Sequence, residues 1–326
     1  MKEIRIGLIG FGVMGRNYAR VLRKISNENL CYFSSISDLN PDLKREAEKY
    51  ARFYQDYRKM IEEEKLNSVC IVTPAHESVK VAKQCIEMGI NNILIEKPIV
   101  PLAYLREGYE LLKISKERNV RIMSADIICF DPATITLKKN INKLGKVNAI
   151  LTIRFGKYPY RFTEVGVNED LLVHDFTFAR YLLDWEKFYV KNVIKNAFFR
   201  EKQIDFVSVE AVSQSNVRLI ASATWLSEEK IRLAIVIGEE KIAQINFLDE
   251  KKNLRLLPKE IIKQIDLKVI KQIEGKEIGE TVPLEKFEPL EKEIKYFLET
   301  IRKNETPITS LERALETLET LYVTAL

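Results

Sequence analysis

Over roughly the first 123 residues, apolar positions alternate between two periods. Short runs rich in β-branched residues, "IRIGLIG", "LCYFSSISD", "SVCIVTP", "NILIEKP" and "VRIMSA", are separated by stretches whose apolar positions recur every three to four residues: "RNYARVLRKI", "LKREAEKYA", "ESVKVAKQCIEMG" and "YLREGYELLKISKER". Strands of period two separated by amphipathic helices make βαβ units and a parallel sheet covered on both faces. After Asp126 the texture changes. One helical piece, "DPATITLKKNINKLG", leads to "KVNAILTIRF" and a helix around His174. Period-two runs then follow with no helix between them: "VRLIASATWL", "KIRLAIVIG" and "KIAQINFL". Successive strands with tight connections pair antiparallel. The tail returns to helix in "EPLEKEIKYFLETIRKN" and "SLERALETLETLYVTAL". The expected fold is α/β. A Rossmann-type, doubly wound parallel sheet should fill residues 1–124, and an α+β domain on a large, mostly antiparallel open sheet should fill 125–326.

Composition narrows the classes of partner. The 326 residues carry 52 Lys+Arg against 47 Asp+Glu, and this +5 is spread along the chain without a basic block, which argues against nucleic acid as the main partner. Cys31, Cys70, Cys85 and Cys129 are isolated in apolar surroundings with no C-x-x-C pair, so reduced, buried thiols in a cytosol are expected rather than zinc or redox exchange. The segment "MKEIRIGLIGFG" reaches glycine after one short strand and no later run is long and apolar, so neither a leader nor a membrane span is expected. Abundant Lys, Glu and Ile with few His and Met resemble thermophile usage.

In "GLIGFGVMG", Gly10, Gly12 and Gly15 form G-x-G-x-x-G after a strand and before a helix, enclosing Phe11 and Met14. Gly10 permits a tight turn, Gly12 a close approach to a pyrophosphate, and Gly15 helix–strand packing, with the helix N-terminus attracting phosphate. Asp38 ends the second strand. Its carboxylate would bond adenosine ribose hydroxyls and repel a 2′-phosphate, favouring NAD over NADP, although "DLNPD" also suits a plain turn.

A second candidate, Lys97, ends "NILIEKPIV" beside Glu96 and Pro98, at the strand end where such sheets open onto their ligand. A third is the scarce histidine of "EDLLVHDF". On a helix, Asp170 and His174 share one face, whereas Leu172, Phe176, Ala179 and Leu183 form a core face. With only His76 as another histidine, a zinc set is incomplete and no metal is expected.

"GFGVMG", "TPAH" at 73–76, "EKP" at 96–98, "CFDPA" at 129–133 and "DLLVHD" at 170–175 occur in an order and spacing that resemble the glucose-fructose oxidoreductase/inositol dehydrogenase family across nearly the whole chain. The resemblance implies an NAD(P)-dependent dehydrogenase with Lys97, Asp170 and His174 as its catalytic set. It also implies that Thr73, Pro74 and His76 lie with Glu96 and Lys97 at the cofactor, that the Lys97–Pro98 bond is cis, and that the C-terminal sheet makes dimers or tetramers. Chemistry supports the set independently. Oxidising a secondary alcohol needs a base poised near neutrality, which histidine supplies, and a donor such as lysine on the reacting oxygen. Thr177, Cys129 and the run Val167, Asn168, Glu169 depart from residues common in the family and usually near substrate, so its sugar specificity does not carry over.

The loop "RFGKYPYRFTEVG" interleaves Arg154, Lys157 and Arg161 with Phe155, Tyr158, Tyr160 and Phe162. Cations among aromatic faces suit a ligand bearing phosphate and a ring, while a solvated loop at a sheet edge is the bland alternative. Its layout resembles family members that act as 3-dehydrogenases on UDP-N-acetylglucosamine. A UDP-amino sugar is therefore the leading substrate, bound by Lys97, Arg154, Lys157, Tyr158, Arg161, Asp170 and His174. A free-sugar or inositol dehydrogenase, a glycosidase with resident NAD and a non-catalytic dinucleotide-dependent regulator are the alternatives.

Overall fold

The computed structural model describes residues 3–159, 165–201, 203–249, 254–258 and 279–325. These form two compact units, Met1–Phe130 with Phe287–Leu318 and Asp131–Lys286 with Glu319–Leu326.

The first unit contains β1 (Arg5–Ile9), α1 (Val13–Asn27), β2 (Tyr32–Ser37), α2 (Lys44–Ala47), β3 (Arg52–Tyr54), α3 (Tyr57–Glu64), β4 (Ser68–Ile71), α4 (Ala75–Glu87), β5 (Asn92–Glu96), α5 (Leu105–Glu117) and β6 (Arg121–Ala125). The six strands are all parallel in the order β3-β2-β1-β4-β5-β6. Because the winding reverses between β1 and β4, their carboxyl ends open a crevice at the switch point. Ile6, Leu8, Val69, Ile71, Ile93 and Ile95 are fully buried, as helices on both faces require.

Tail residues return to this unit. Helix α8 (Pro289–Lys303) buries Leu290, Ile294, Phe297 and Leu298. It lies against α1, where Lys24 pairs with Glu291 at 2.6 Å and Lys295 with Glu28 at 2.7 Å. Thr309 then lies beside β6, exchanging bonds with Ser124 in which the Ser124 N–H and the Thr309 hydroxyl each donate at 2.8 Å. That contact shields the last strand of the sheet from open-edge pairing. The sequence pattern marks α8 as amphipathic and places it with the second half; the structure groups residues 287–318 with the first.

The second unit holds α6 (Pro132–Lys139), β7 (Val147–Phe155), α7 (Val173–Leu182), β8 (Phe188–Asn196), β9 (Phe206–Ser213), β10 (Arg218–Thr224), β11 (Ile231–Gly238), β12 (Lys241–Asn246), β13 (Leu254–Pro258) and β14 (Glu280–Val282). Helix α9 (Leu311–Tyr322) carries the chain from the first unit to the second. The eight strands run β14-β13-β12-β11-β7-β10-β9-β8. All pairs are antiparallel except β7 with β10, which run parallel in the centre. One face buries Ile150, Val207, Val209, Leu219, Ala221, Ala234 and Val236, alternating with outward residues as period two dictates. Outward, Ile153, Tyr189, Ile194 and Ile220 are exposed. Among the described residues no helix is long and apolar enough to cross a membrane.

Candidate active site

At the switch point the chain leaves β1 through Gly10, whose φ of 96° lies in the left-handed region and whose N–H donates to the Ser37 carbonyl at 2.8 Å. A Cβ on Gly10 would stand 2.3 Å from the Val72 carbonyl oxygen, and one on Gly15 would stand 2.3 Å from that of Gly10. Both positions therefore demand glycine. A Cβ on Gly12 would meet nothing within 4 Å, so the space there is open.

Helix α1 begins at Gly12 with no side-chain cap and no acidic residue in its first turn, and α4 also starts uncapped after Pro74. Elsewhere, Asp56 caps α3 and Asp131 caps α6. The first amides of α1 are thus left to accept an anion beside a space that a side chain would fill, which fits a dinucleotide's pyrophosphate.

The Asp38 carboxylate sits at this turn, accepting the Phe11 N–H at 2.7 Å and the Asn40 N–H at 2.9 Å. The Phe11 ring is buried, edge-on to Tyr50, so only its backbone can serve the turn. Met14 is half-buried in the first turn of α1. Across the crevice, the Thr73 hydroxyl lies 3.1 Å from that of Ser78, and His76 is exposed in the first turn of α4. Glu96 ends β5 and Lys97 follows it, and the Lys97–Pro98 peptide is cis. The Tyr18 hydroxyl donates to Glu96 at 2.9 Å. Burial pushes the Glu96 carboxyl up to about 7, with Lys97 opposing the rise.

In the second unit, Asn168–Leu172 form a π-helical turn that runs straight into α7, rather than the single α-helix the spacing predicts. Leu172, Phe176 and Ala179 are fully buried as the sequence reading has it, but Leu183, expected with them, lies past the end of α7 and is only half-buried, and Val173, Asp175, Thr177, Phe178, Arg180 and Leu182 are buried too. A helix buried nearly all round leaves His174, half-buried one turn after Asp170, as one of its few accessible polar groups. Asp170 lines a cavity of about 330 Å³ with Lys157, Trp225, Glu228, Lys230 and Arg232.

Of the expected substrate residues, Lys157 and Asp170 share this cavity, and Tyr158 lines a wider groove that also reaches Lys157. Arg154 is a correction. It is 7% exposed, its Nε pairs with Asp175 at 2.7 Å, and its guanidinium packs over the Phe247 ring. Burial pushes the Asp175 carboxyl up to about 6, with Arg154 opposing. Arg161 lies outside the described residues.

Arg232, opposite Arg154 in the β7–β11 register, lines the cavity instead, beside Lys157 and Lys230. Its signal was present in "KIRLAIVIG": an arginine on the same strand face as buried Ala234 and Val236. Trp225 had no comparable signal. Of the cysteines, Cys70, Cys85 and Cys129 are buried, but Cys31 is only half-buried. A separate cavity of about 850 Å³ lies at the amino ends of β5 and β6, lined by Asn92, Arg121 and Asn304, away from the glycine turn.

Residues 4–125 match the family described as "Oxidoreductase family, NAD-binding Rossmann fold". The chain is similar to inositol 2-dehydrogenase 4 of Saccharopolyspora erythraea, at 29% identity over 57% of this chain and 55% of that protein. The chain thus spans a little over half the length of that curated relative. Among solved structures it resembles the UDP-N-acetylglucosamine 3-dehydrogenase of Acidithiobacillus ferrooxidans, with a TM-score of 0.81 at 20% identity over 98% of this chain and 96% of that one. It also resembles a levoglucosan dehydrogenase in complex with NADH, with a TM-score of 0.82 at 17% identity over 99% and 97%. These likenesses establish a shared fold through both units.

Proposed function

We infer that this chain, whose residues 4–125 match the family described as "Oxidoreductase family, NAD-binding Rossmann fold", is an NAD-dependent dehydrogenase of a sugar secondary hydroxyl. The observation that carries the reading in the second unit is the cation-lined cavity at Asp170, on the helical segment that presents His174.

The Gly10–Gly15 turn and the uncapped start of α1 would hold the pyrophosphate, and Asp38 the adenosine ribose. Bound NAD would supply the hydride acceptor. His174 would take the hydroxyl proton, Asp170 would orient the imidazole and stabilise its charged form, and Lys97 would donate a hydrogen bond to the reacting oxygen as negative charge develops.

The finer reading is a UDP-amino sugar such as UDP-N-acetylglucosamine, oxidised at its 3-hydroxyl. It is supported by the loop layout at Gly156 and Pro159 and by the likeness to the Acidithiobacillus structure. A free-sugar or inositol dehydrogenase is the second reading, favoured by the relative named inositol 2-dehydrogenase. Exposed Ile153, Tyr189, Ile194 and Ile220 on one sheet face suit a homodimer or homotetramer.

The test is reduction of NAD with free sugars, inositols, sugar phosphates and UDP-sugars, beside a His174→Ala variant. The expected result is activity with a UDP-sugar, lost by roughly 10²–10⁴-fold in the variant while NAD affinity is retained. Equal loss of NAD affinity would make His174 structural. Activity confined to inositols or free sugars would select the second reading.

A further inference from the structure

The cavity at Asp170 adjoins a larger groove, of about 880 Å³, lined by Lys157, Tyr158, Phe198, Phe199, Arg200 and Trp225. Both share Lys157, Pro159, Trp225 and Glu228, so they adjoin within the second unit as two neighbouring compartments. The smaller compartment is at the low end of ligand-site volumes and suits one sugar ring; the larger has room for a second moiety.

The groove's aromatic side chains are held from behind. Phe198 is 63% and Phe199 72% exposed, yet the N–H groups of both donate to one carboxylate oxygen of buried Asp205, at 2.8 and 2.9 Å. The Tyr158 hydroxyl donates to Gln203 at 3.0 Å, and the Gln203 amide donates to the Val165 carbonyl at 3.1 Å. The Tyr158 ring lies 5.4 Å from that of Phe199 and 5.6 Å from that of Trp225. The Arg200 guanidinium stands 5.5 Å from the Tyr158 ring centroid. Two neighbouring phenylalanines whose backbone is fixed by a buried carboxylate present largely exposed apolar faces, on which a planar ring can stack.

Charge selects the occupant. Among the described residues, the cations Lys157, Arg200, Lys230 and Arg232 line the two compartments, against the carboxylates of Asp170 and Glu228. An excess of two positive charges complements a diphosphate, and aromatic faces beside it complement a nucleobase. A peptide or a second copy of the chain would use the apolar faces without calling on these cations.

We propose that the Phe198–Phe199 shelf binds the nucleobase of a nucleoside diphosphate-sugar, with Lys157 and Arg200 at its diphosphate, while the sugar occupies the Asp170 compartment. The proposal rests on the sugar-dehydrogenase reading and deepens it, since no part of that reading assigns Phe198, Phe199 or Arg200 a role.

The test is calorimetric titration of UDP and of uridine into the intact, NAD-saturated protein and into Phe198→Ala/Phe199→Ala and Arg200→Ala variants. Melting temperature checks that each variant is folded, and light scattering checks its mass. Removing the two rings should weaken UDP and uridine alike by about 10- to 100-fold, as loss of base stacking does. Arg200→Ala should weaken UDP much more than uridine. UDP binding that both variants leave unchanged would overturn the shelf while leaving a nucleotide-sugar substrate intact. No UDP binding to the unaltered protein would overturn the shelf as well, and NAD reduction by free sugars would then show that the dehydrogenase reading survives without it. A change of molecular mass in the double phenylalanine variant, with UDP affinity retained, would make the shelf an interface between copies and likewise overturn the proposal.

Discussion

Asp38 accepts two backbone amides at once, those of Phe11 and Asn40, so its carboxylate is fixed on the glycine turn before any ribose arrives. An Asp38→Asn variant retains an acceptor for Phe11 but removes the charge that would repel a 2′-phosphate. The preference for NAD over NADP should fall by about 10-fold or more, the scale of one charge-assisted hydrogen bond. Fluorescence titration with both cofactors would measure it, and an unchanged ratio would remove Asp38 from cofactor selection. Single residues were the most legible level where a motif constrains the backbone: Gly10 and Gly15 are required by carbonyl oxygens 2.3 Å from any Cβ, and their spacing alone announces them. Arg154 was misread for the opposite reason. An arginine near a loop reads as a cleft residue, and a partner 21 positions away leaves no local trace.

Between elements, that same arginine ties β7 to α7. Its pairing with Asp175 is buried on both sides, where desolvation offsets much of the Coulomb attraction. Arg154→Met would strand the Asp175 carboxylate without its cation and should cost about 3–5 kcal/mol in urea unfolding. Adding Asp175→Leu should recover most of that loss, because an apolar pair needs no compensation. A double variant as unstable as the single one would mean that the pair's shape, rather than its charge, holds α7 on the sheet. The helical period correctly put Leu172, Phe176 and Ala179 inside, but it could not foresee a helix buried nearly all round, since Asp175, Thr177 and Arg180 are polar. Arg180 is satisfied by carbonyls just beyond the helix end, its guanidinium donating to Trp185 and Glu186 at 3.3 and 3.1 Å. Those bonds exist only once the helix has ended at Leu182 and the chain has turned back.

At the scale of the whole molecule, the alternation of short strands with amphipathic helices sufficed for a doubly wound sheet, because βαβ crossovers of one hand leave few alternatives. It could not say where α8 would pack: an apolar stripe declares that a face is covered, not by what. The packing has an electrostatic cost. Glu293 of α8 is buried, and that burial, with Glu96 and Asp126 nearby, raises its carboxyl well above the usual range. The folded state therefore keeps a proton that the unfolded chain releases above pH about 4.5. This contribution to stability is fully present below that pH and declines by about 1.4 kcal/mol per unit as pH rises toward the folded value. Glu293→Gln should match the unaltered protein near pH 4.5 and melt at progressively higher temperature above it. Calorimetry across pH 4.5 to 8 would show the widening gap, and parallel curves would mean that Glu293 is ionised in the fold. The chain's itinerary carries a different consequence. Residues 131–286 leave the first unit after Phe130 and return to it at Phe287, so they stand as a long insertion in a continuous nucleotide-binding scaffold. A recombination event that exchanged this insertion at its two ends would leave α8 and the whole six-stranded sheet in place, but the incoming segment would have to pack on residues 319–326, the part of the second unit that stays behind.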